Sequence, residues 1–189
     1  MKHDYIVLIV GKSGSGKSTI CRYLEVDYGV KEVRSYTTRP KRGADDNSHI
    51  FVSDEEFDNL DGAVAHTEYN GYRYCTTEEQ IEECGTYIID PDGVDYFLKE
   101  YTGKKIPMVV HIVAPERVRG ERMAYRGQSD EGIKNRLELD EQVFRGMGDY
   151  ATISYANSDD RLDDIMHICE HIYNTFFKEE GDDEYGRKD

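Results

Sequence analysis

The chain has little of what a membrane, secreted or nucleic-acid-binding protein needs. No apolar run approaches the roughly 20 residues required to span a bilayer, and Met1-Lys2-His3-Asp4 leads straight into a strand, so no signal peptide is expected. Cysteine is sparse: Cys21, Cys75, Cys84 and Cys169 have neither CxxC spacing nor the density of a disulfide scaffold, which predicts reduced thiols and no zinc site. Positive charge is also short. With 24 Lys and Arg against 39 Asp and Glu, the net charge is −15, which excludes general binding to nucleic acid or to an anionic membrane. No linker, internal repeat or low-complexity tract divides the 189 residues. A single soluble, cytoplasmic domain with one sizeable core is the expectation.

The scarce cations are gathered. Lys31, Arg34, Arg39, Lys41 and Arg42 fall together, and Gly43 to Tyr72 then contains no Lys or Arg but eight acids. Arg117, Arg119, Arg122, Arg126, Lys134 and Arg136 form a second cluster. Two basic islands on an acidic protein suit a small, highly anionic substrate. Arg117, Arg119 and Arg145 read equally well as solvated helix faces and ion pairs.

Residues Gly11-Lys12-Ser13-Gly14-Ser15-Gly16-Lys17-Ser18 match the phosphate-binding pattern GxxxxGK[ST]. The context supports the match, because Tyr5 to Val10 is a continuous apolar run of the kind a strand buried on both faces requires. Beyond the loop, Thr19 leads into Ile20, Tyr23 and Leu24 at helical spacing. Backbone N–H groups of the loop therefore open a helix at its positive end, which attracts phosphate. Glycines let the chain wrap the β- and γ-phosphates, Lys17 neutralises charge, and the Ser18 hydroxyl can hold Mg²⁺. ATP or GTP binding is predicted.

Further along, Val33 to Thr38 is β-rich and is ended by Arg39-Pro40. Short β-like runs at His49 to Val52 and Tyr72 to Cys75, a short acidic helix capped by Ser53, and the turn signal Asn70-Gly71 describe a small β-rich insertion. Tyr87 to Ile89, Val109 to Val113 and a strand containing Ile153 continue the core. Val94, Phe97 and Leu98 mark a helix between the first two. Pro115 and Ser129 start two arginine-bearing helices, the second carrying Ile133, Leu137 and Phe144. A last helix presents Leu162, Ile165, Ile168, Ile172 and Phe176 before an acidic tail, read as disordered. Alternating strands and helices imply an α/β fold with a mostly parallel sheet.

With the phosphate loop, Ser35-Tyr36-Thr37-Thr38-Arg39-Pro40-Lys41-Arg42, Asn70-Gly71-Tyr72-Arg73-Tyr74 and Arg136 in Ile133-Lys134-Asn135-Arg136-Leu137, the chain resembles the guanylate kinase family over nearly its whole length. The resemblance implies a three-layer α/β/α P-loop core (1–34, 84–121 and 144–177), a nucleoside-monophosphate-binding insertion (35–83), a helical lid (122–143) and the tail 178–189. It implies ATP with Mg²⁺ as donor and makes Ser35, Arg39, Arg42 and Tyr74 ligands of the acceptor phosphate. Guanidinium forks and hydroxyls suit that task independently. Arg126 and Arg136 resemble lid arginines that reach the γ-phosphate on closure. With Lys17 and Arg39 they would hold donor and acceptor in line, since phosphoryl transfer asks for positioning and charge stabilisation. Asp90 and Asp92 fall where the family has an acidic pair near metal and acceptor; a helix cap or a turn around Pro91 is the alternative. Asn157 resembles an asparagine near the adenine, or is a plain turn residue.

Three positions depart from the family pattern. His49 stands in place of a phosphate-binding tyrosine, and Ala65 takes the place of the glutamate that accepts guanine N–H groups, leaving Glu68 as a substitute if the hairpin register differs. Thr76 occupies the slot of a base-contacting hydroxyl, and Asp90-Pro91-Asp92-Gly93 alters the usual spacer. The leading expectation is phosphoryl transfer from ATP to GMP or dGMP. A ribose 1,5-bisphosphate kinase-like activity is the alternative, favoured by His49 and Ala65. A non-catalytic guanylate-kinase-like binding module is a third reading, disfavoured by Lys17 and Ser18. Oligomeric state is not legible from the chain.

Overall fold

A computed structural model describes residues 4–41, 43–44, 46–69, 71–158 and 162–178. Arg42, Asn70 of the expected turn and the tail from 179 onward lie outside the described residues. Strand β1 (Tyr5–Val10) is the centre of the core, and each of its residues from Ile6 on is fully buried. Ile6, Leu8 and Val10 face one apolar cluster while Val7 and Ile9 face another, so the strand is covered on both sides, as its unbroken apolar run requires.

Four parallel strands form the main sheet in the order β6-β1-β7-β8, with β6 Thr86–Ile88, β7 Ile106–Val113 and β8 Ile153–Ala156. Helix α1 (Lys17–Tyr28) and the last helix, α8 (Leu162–Phe176), pack on the Val7 face, where Ile20, Leu24, Ile168, Ile172 and Phe176 are buried. The opposite face takes α4 (Pro91–Glu100), through Val94 and Phe97. Leu98, read from the sequence as part of that apolar stripe, is 46% exposed, because a ten-residue helix lying flat on a sheet buries little more than one row.

A second sheet, β3-β2-β5-β4, is built by the insertion: β2 Tyr36–Thr37, β3 Ile50–Phe51, β4 Ala63–Tyr69 and β5 Tyr72–Thr77. The β4/β5 hairpin is antiparallel, with Glu68 opposite Arg73 and Ala65 opposite Thr76. Helix α2 (Asp54–Asp58) opens with a capping box between Ser53 and Glu56 and is fastened to the hairpin by Arg73. That guanidinium bonds Asp54 at 2.7 Å and Asp58 at 2.5 Å and lies 4.5 Å over the Phe57 ring. Helix α3 (Glu78–Glu83), absent from the sequence expectations, follows β5 through a second capping box, Thr77 with Gln80.

After β7 come α5 (Glu116–Tyr125), α6 (Asp130–Val143, capped by Ser129) and the single turn α7 (Met147–Tyr150). Arg117 pairs with Glu121 on an exposed face. Arg119 is the opposite of a solvated arginine at 1% exposure, because the end of α6 folds over it and supplies Asp140. The four cysteines are free thiols, three of them buried. Among the described residues no helix is long and apolar enough to cross a membrane.

Candidate functional site

The loop between β1 and α1 is held open by glycine. Gly14 and Gly16 have φ of 77° and 103°, where a side chain is strained. A Cβ on Gly14 would also lie 2.7 Å from the Arg119 carbonyl, and one on Gly16 would collide with the Asn157 amide. Gly16 is the N-cap of α1 and supplies no side-chain cap, so the first N–H groups of the helix have no side-chain partner from that position. Lys17 folds back across the loop and donates to the carbonyls of Gly11 at 2.5 Å and Lys12 at 3.2 Å. Burial pushes its ammonium down to about 8, opposed in part by the charge of Asp140. A lysine so placed is a strong partner for an arriving phosphate, which supplies the missing counter-charge.

Two structures brace the loop from behind. Asn157, fully buried just beyond β8, donates from Nδ2 to the Ser15 carbonyl at 2.8 Å and accepts at Oδ1 from Arg122 at 3.2 Å. Arg122 also donates to the Gly14 carbonyl at 3.1 Å. Asn157 is therefore a clamp on the loop, which is more than a plain turn residue does. The second brace comes from α6. Asp140 accepts from Ser13 N at 2.7 Å and pairs with Arg119 at 3.2 Å, and Glu141 pairs with Lys12. Arg136, one turn before Asp140, bonds the Ser13 hydroxyl.

Two cavities meet at this loop. One, of about 470 Å³, runs from Gly11, Ser13 and Lys17 past Ser35, His49, Tyr74 and Glu68 to Asp90 and Asp92. The other, of about 590 Å³, lies under α5 and α6 and is lined by Ser13, Gly14, Lys17, Arg126, Gln128 and Arg136. Ser13, Lys17 and Arg136 belong to both. The sequence-predicted residues thus divide. Gly11, Ser13, Gly14, Lys17, Ser35, His49, Glu68, Tyr74, Asp90, Asp92, Arg126 and Arg136 line the paired chambers.

The remainder are placed elsewhere. Lys12 is turned to Glu141, Gly16 caps α1, the Ser18 hydroxyl is exposed at the start of α1, and Thr19 N bonds the Gly16 carbonyl. Ser15 is fully buried, and its hydroxyl finds no partner among the described residues. Thr76 is fully buried too and donates to Tyr87 Oη at 2.8 Å, which removes its hydroxyl from the cavity wall. Arg39 is also buried, its fork donating to Asp46 at 3.1 Å, Ser48 at 3.3 Å and the Pro40 carbonyl at 2.9 Å, while Nε has no partner among the described residues. It points into its own loop because the adjoining acidic stretch supplies a carboxylate within reach.

Within the first cavity, His49 Nδ1 lies 3.0 Å from the Ser35 hydroxyl and its ring meets Tyr74 edge-on, so three polar groups converge on one wall. Asp90 is the N-cap of α4, accepting from Gly93 N at 2.7 Å. Burial raises its pKa, and the bonds from Gly93 and Thr67 only partly offset this. The cap is the alternative the sequence left open. Among the described residues no three His, Cys, Asp or Glu side chains gather as a metal site. Sequence reasoning placed Arg119 and Arg122 in a basic cluster without giving them a role at the loop, and Asp140 was not singled out. The available signal was the run of arginines at 117, 119, 122 and 126 followed by an aspartate four residues after Arg136.

The solved guanylate kinase from Anaplasma phagocytophilum has a similar fold, with a TM-score of 0.60 and 18% sequence identity, over 94% of this chain and 89% of that one. A search of curated protein sequences returns no match. The profile of the AAA domain family (AAA_18) matches residues 7–143, from the first buried strand through the end of α6. On that match, which takes in the phosphate loop and both of its cavities, the chain belongs to the AAA domain family.

Proposed function

We propose that this protein transfers the γ-phosphoryl group of ATP to a nucleoside monophosphate, with GMP or dGMP as acceptor. The observation that carries the reading is the meeting of two chambers at Ser13, Lys17 and Arg136. One chamber lies on the phosphate-loop and lid side and suits the donor. The other is walled by Ser35, His49 and Tyr74 and suits an acceptor phosphate. A transferring group between them is within reach of two cations, and in-line displacement needs little else from protein. Lys17 would neutralise the β- and γ-oxygens, and Arg126 and Arg136 would gather charge as it builds on the moving group. The exposed Ser18 hydroxyl suits a Mg²⁺ that arrives with the nucleotide, which supplies further charge neutralisation. Asp90, spent on capping α4, fits that ion less well.

Glu68 supports a nucleobase in the acceptor chamber. It lines the chamber, as does Asp92, and carboxylates there suit the N–H groups of a purine such as guanine. A second reading, a kinase acting on a ribose phosphate, is favoured by Ala65, 2% exposed and without polar atoms, and by the engaged hydroxyl of Thr76. A weaker grip on the base follows from either, since discrimination depends on polar groups that only the right base satisfies. The assay is coupled ADP release from ATP–Mg²⁺ with GMP, dGMP, AMP, IMP and ribose 1,5-bisphosphate. Turnover confined to GMP and dGMP, with Glu68→Gln raising KM for these alone, supports the proposal. Turnover on the sugar phosphate supports the second reading, and ATP binding without turnover on any acceptor removes both.

A further inference from the structure

One carboxylate joins three parts of the site. Asp140, 3% exposed in the last turns of α6, accepts from the backbone N–H of Ser13 at 2.7 Å. The Ser13 hydroxyl lies 3.3 Å away, Arg119 Nη1 3.2 Å and Arg136 Nε 3.6 Å. Its contacts therefore join the phosphate loop, α5 and its own helix. A buried negative charge beside a chamber lined for phosphates opposes the ligand, and burial of any charge is unfavourable unless it is paired. Arg119, 1% exposed, supplies the pairing, and its Nε has no partner among the described residues.

What the carboxylate adds is direction. Arg136 bonds the Ser13 hydroxyl and lies against Asp140, while Asp140 itself holds Ser13 by the backbone. Guanidinium, loop and lid helix thus form a closed ring of contacts, and Arg136 is one of the residues common to both chambers. We propose that Asp140, its charge balanced by Arg119, is a positioning residue that fixes Arg136 against Ser13 and so sets the orientation of the guanidinium shared by donor and acceptor chambers. Its kinetic consequence rests on the phosphoryl-transfer reading; its structural consequence does not. Asp140 also lines the acceptor chamber, but a carboxylate repels a phosphoryl group, so it acts through Arg136 and the loop.

The test uses Asp140→Asn, which keeps the shape and an acceptor for Ser13 N but removes the charge. We expect kcat to fall at least tenfold while the Kd for ATP–Mg²⁺ changes less than threefold, since losing a negative charge does not weaken phosphate binding. In an Arg136→Met background the same substitution should lower kcat less than twofold further. Hydrogen exchange of the segment 11–16 should quicken severalfold. Because a single substitution can leave Arg119 buried without a counter-charge, the second variant is Arg119→Met with Asp140→Leu, an apolar replacement of the kind that keeps stability. It should fold with an unchanged thermal midpoint and stay as slow as Asp140→Asn. Full activity of that double variant, or an equal loss from Asp140→Asn with and without Arg136, overturns the proposal. If the wild-type chain binds ATP and turns over no acceptor, the phosphoryl-transfer reading fails. Loop exchange then still decides: unchanged exchange in Asp140→Asn overturns the positioning role, and faster exchange confined to 11–16 supports it.

Discussion

Asn157 Nδ2 donates to the carbonyl of Ser15 at 2.8 Å, tying the end of the edge strand β8 to the middle of the phosphate loop. Both residues are fully buried, so the bond has no water to replace it. Asn157→Ala is expected to reduce stability by about 1–3 kcal/mol, the usual cost of an orphaned buried acceptor. It should also weaken ATP binding with no change in acceptor KM. Chemical denaturation and an ATP titration check both.

Lys17 gives a pH dependence with two opposite signs. Its folded-state pKa is about 8 against an ordinary 10.5, because burial disfavours the ammonium. Only the ammonium binds phosphate well, so ATP affinity should be flat below pH 8 and fall by up to roughly tenfold per unit above it. Stability runs the other way: between about 8 and 10.5 the unfolded chain holds the proton that the folded chain has released, so this contribution rises with pH. In Lys17→Arg the affinity profile should be flat and weaker throughout. ATP titrations from pH 6.5 to about 9.5 separate the cases.

Arg39 is occupied by Asp46 at 3.1 Å, both side chains being largely buried. An acceptor phosphate that uses this fork must displace the carboxylate. Asp46→Asn is therefore expected to lower acceptor KM by roughly threefold to tenfold, the scale of one charge-assisted hydrogen bond. Arg39→Ala should raise it by at least as much. Kd for ATP should stay within twofold in both variants; parallel loss of ATP and acceptor affinity would contradict two separate phosphate sites.

Thr76 donates to Tyr87 Oη inside the protein; Thr76 is fully buried, while Tyr87, 6% exposed, also lines the acceptor chamber. Tyr87→Phe should destabilise the chain by about 1–2 kcal/mol by stranding the Thr76 hydroxyl. The hydroxyl being engaged by Thr76, kcat should be unchanged and acceptor KM should move less than about threefold. A shift in acceptor preference in Tyr87→Phe would return Thr76 to the base-reading role that the sequence resemblance implies.

The parts of the fold written in repeating patterns were legible from the chain. The unbroken run at Tyr5 to Val10 required a strand covered twice, and Ile168, Ile172 and Phe176 pointed to the buried stripe of α8. Helix α3 escaped because Glu78–Glu83 contains one apolar residue, although Thr77 and Gln80 spell a capping box. In the site, residue type was legible and direction was not. Arg39 has the chemistry for phosphate, yet its orientation is set by Asp46, whose approach depends on a loop and not on spacing. Arg119 and Asp140 stand 21 positions apart on different helices, and each alone looks like one more charge on a polar face. Only the fold brings them together under the phosphate loop.

Helix α2 has five residues, far below the length at which a helix holds itself together in water. It persists because Arg73 grips both of its acidic ends and covers Phe57. The helix and the β4/β5 hairpin are therefore held as one unit, and Val64 and Ala65 bury the base of that unit in the same apolar cluster as Val94 and Phe97. The wall that carries Glu68 is thus anchored at one end by Arg73 and at the other by the core, so the shape of the acceptor chamber is inherited from the packing of α4.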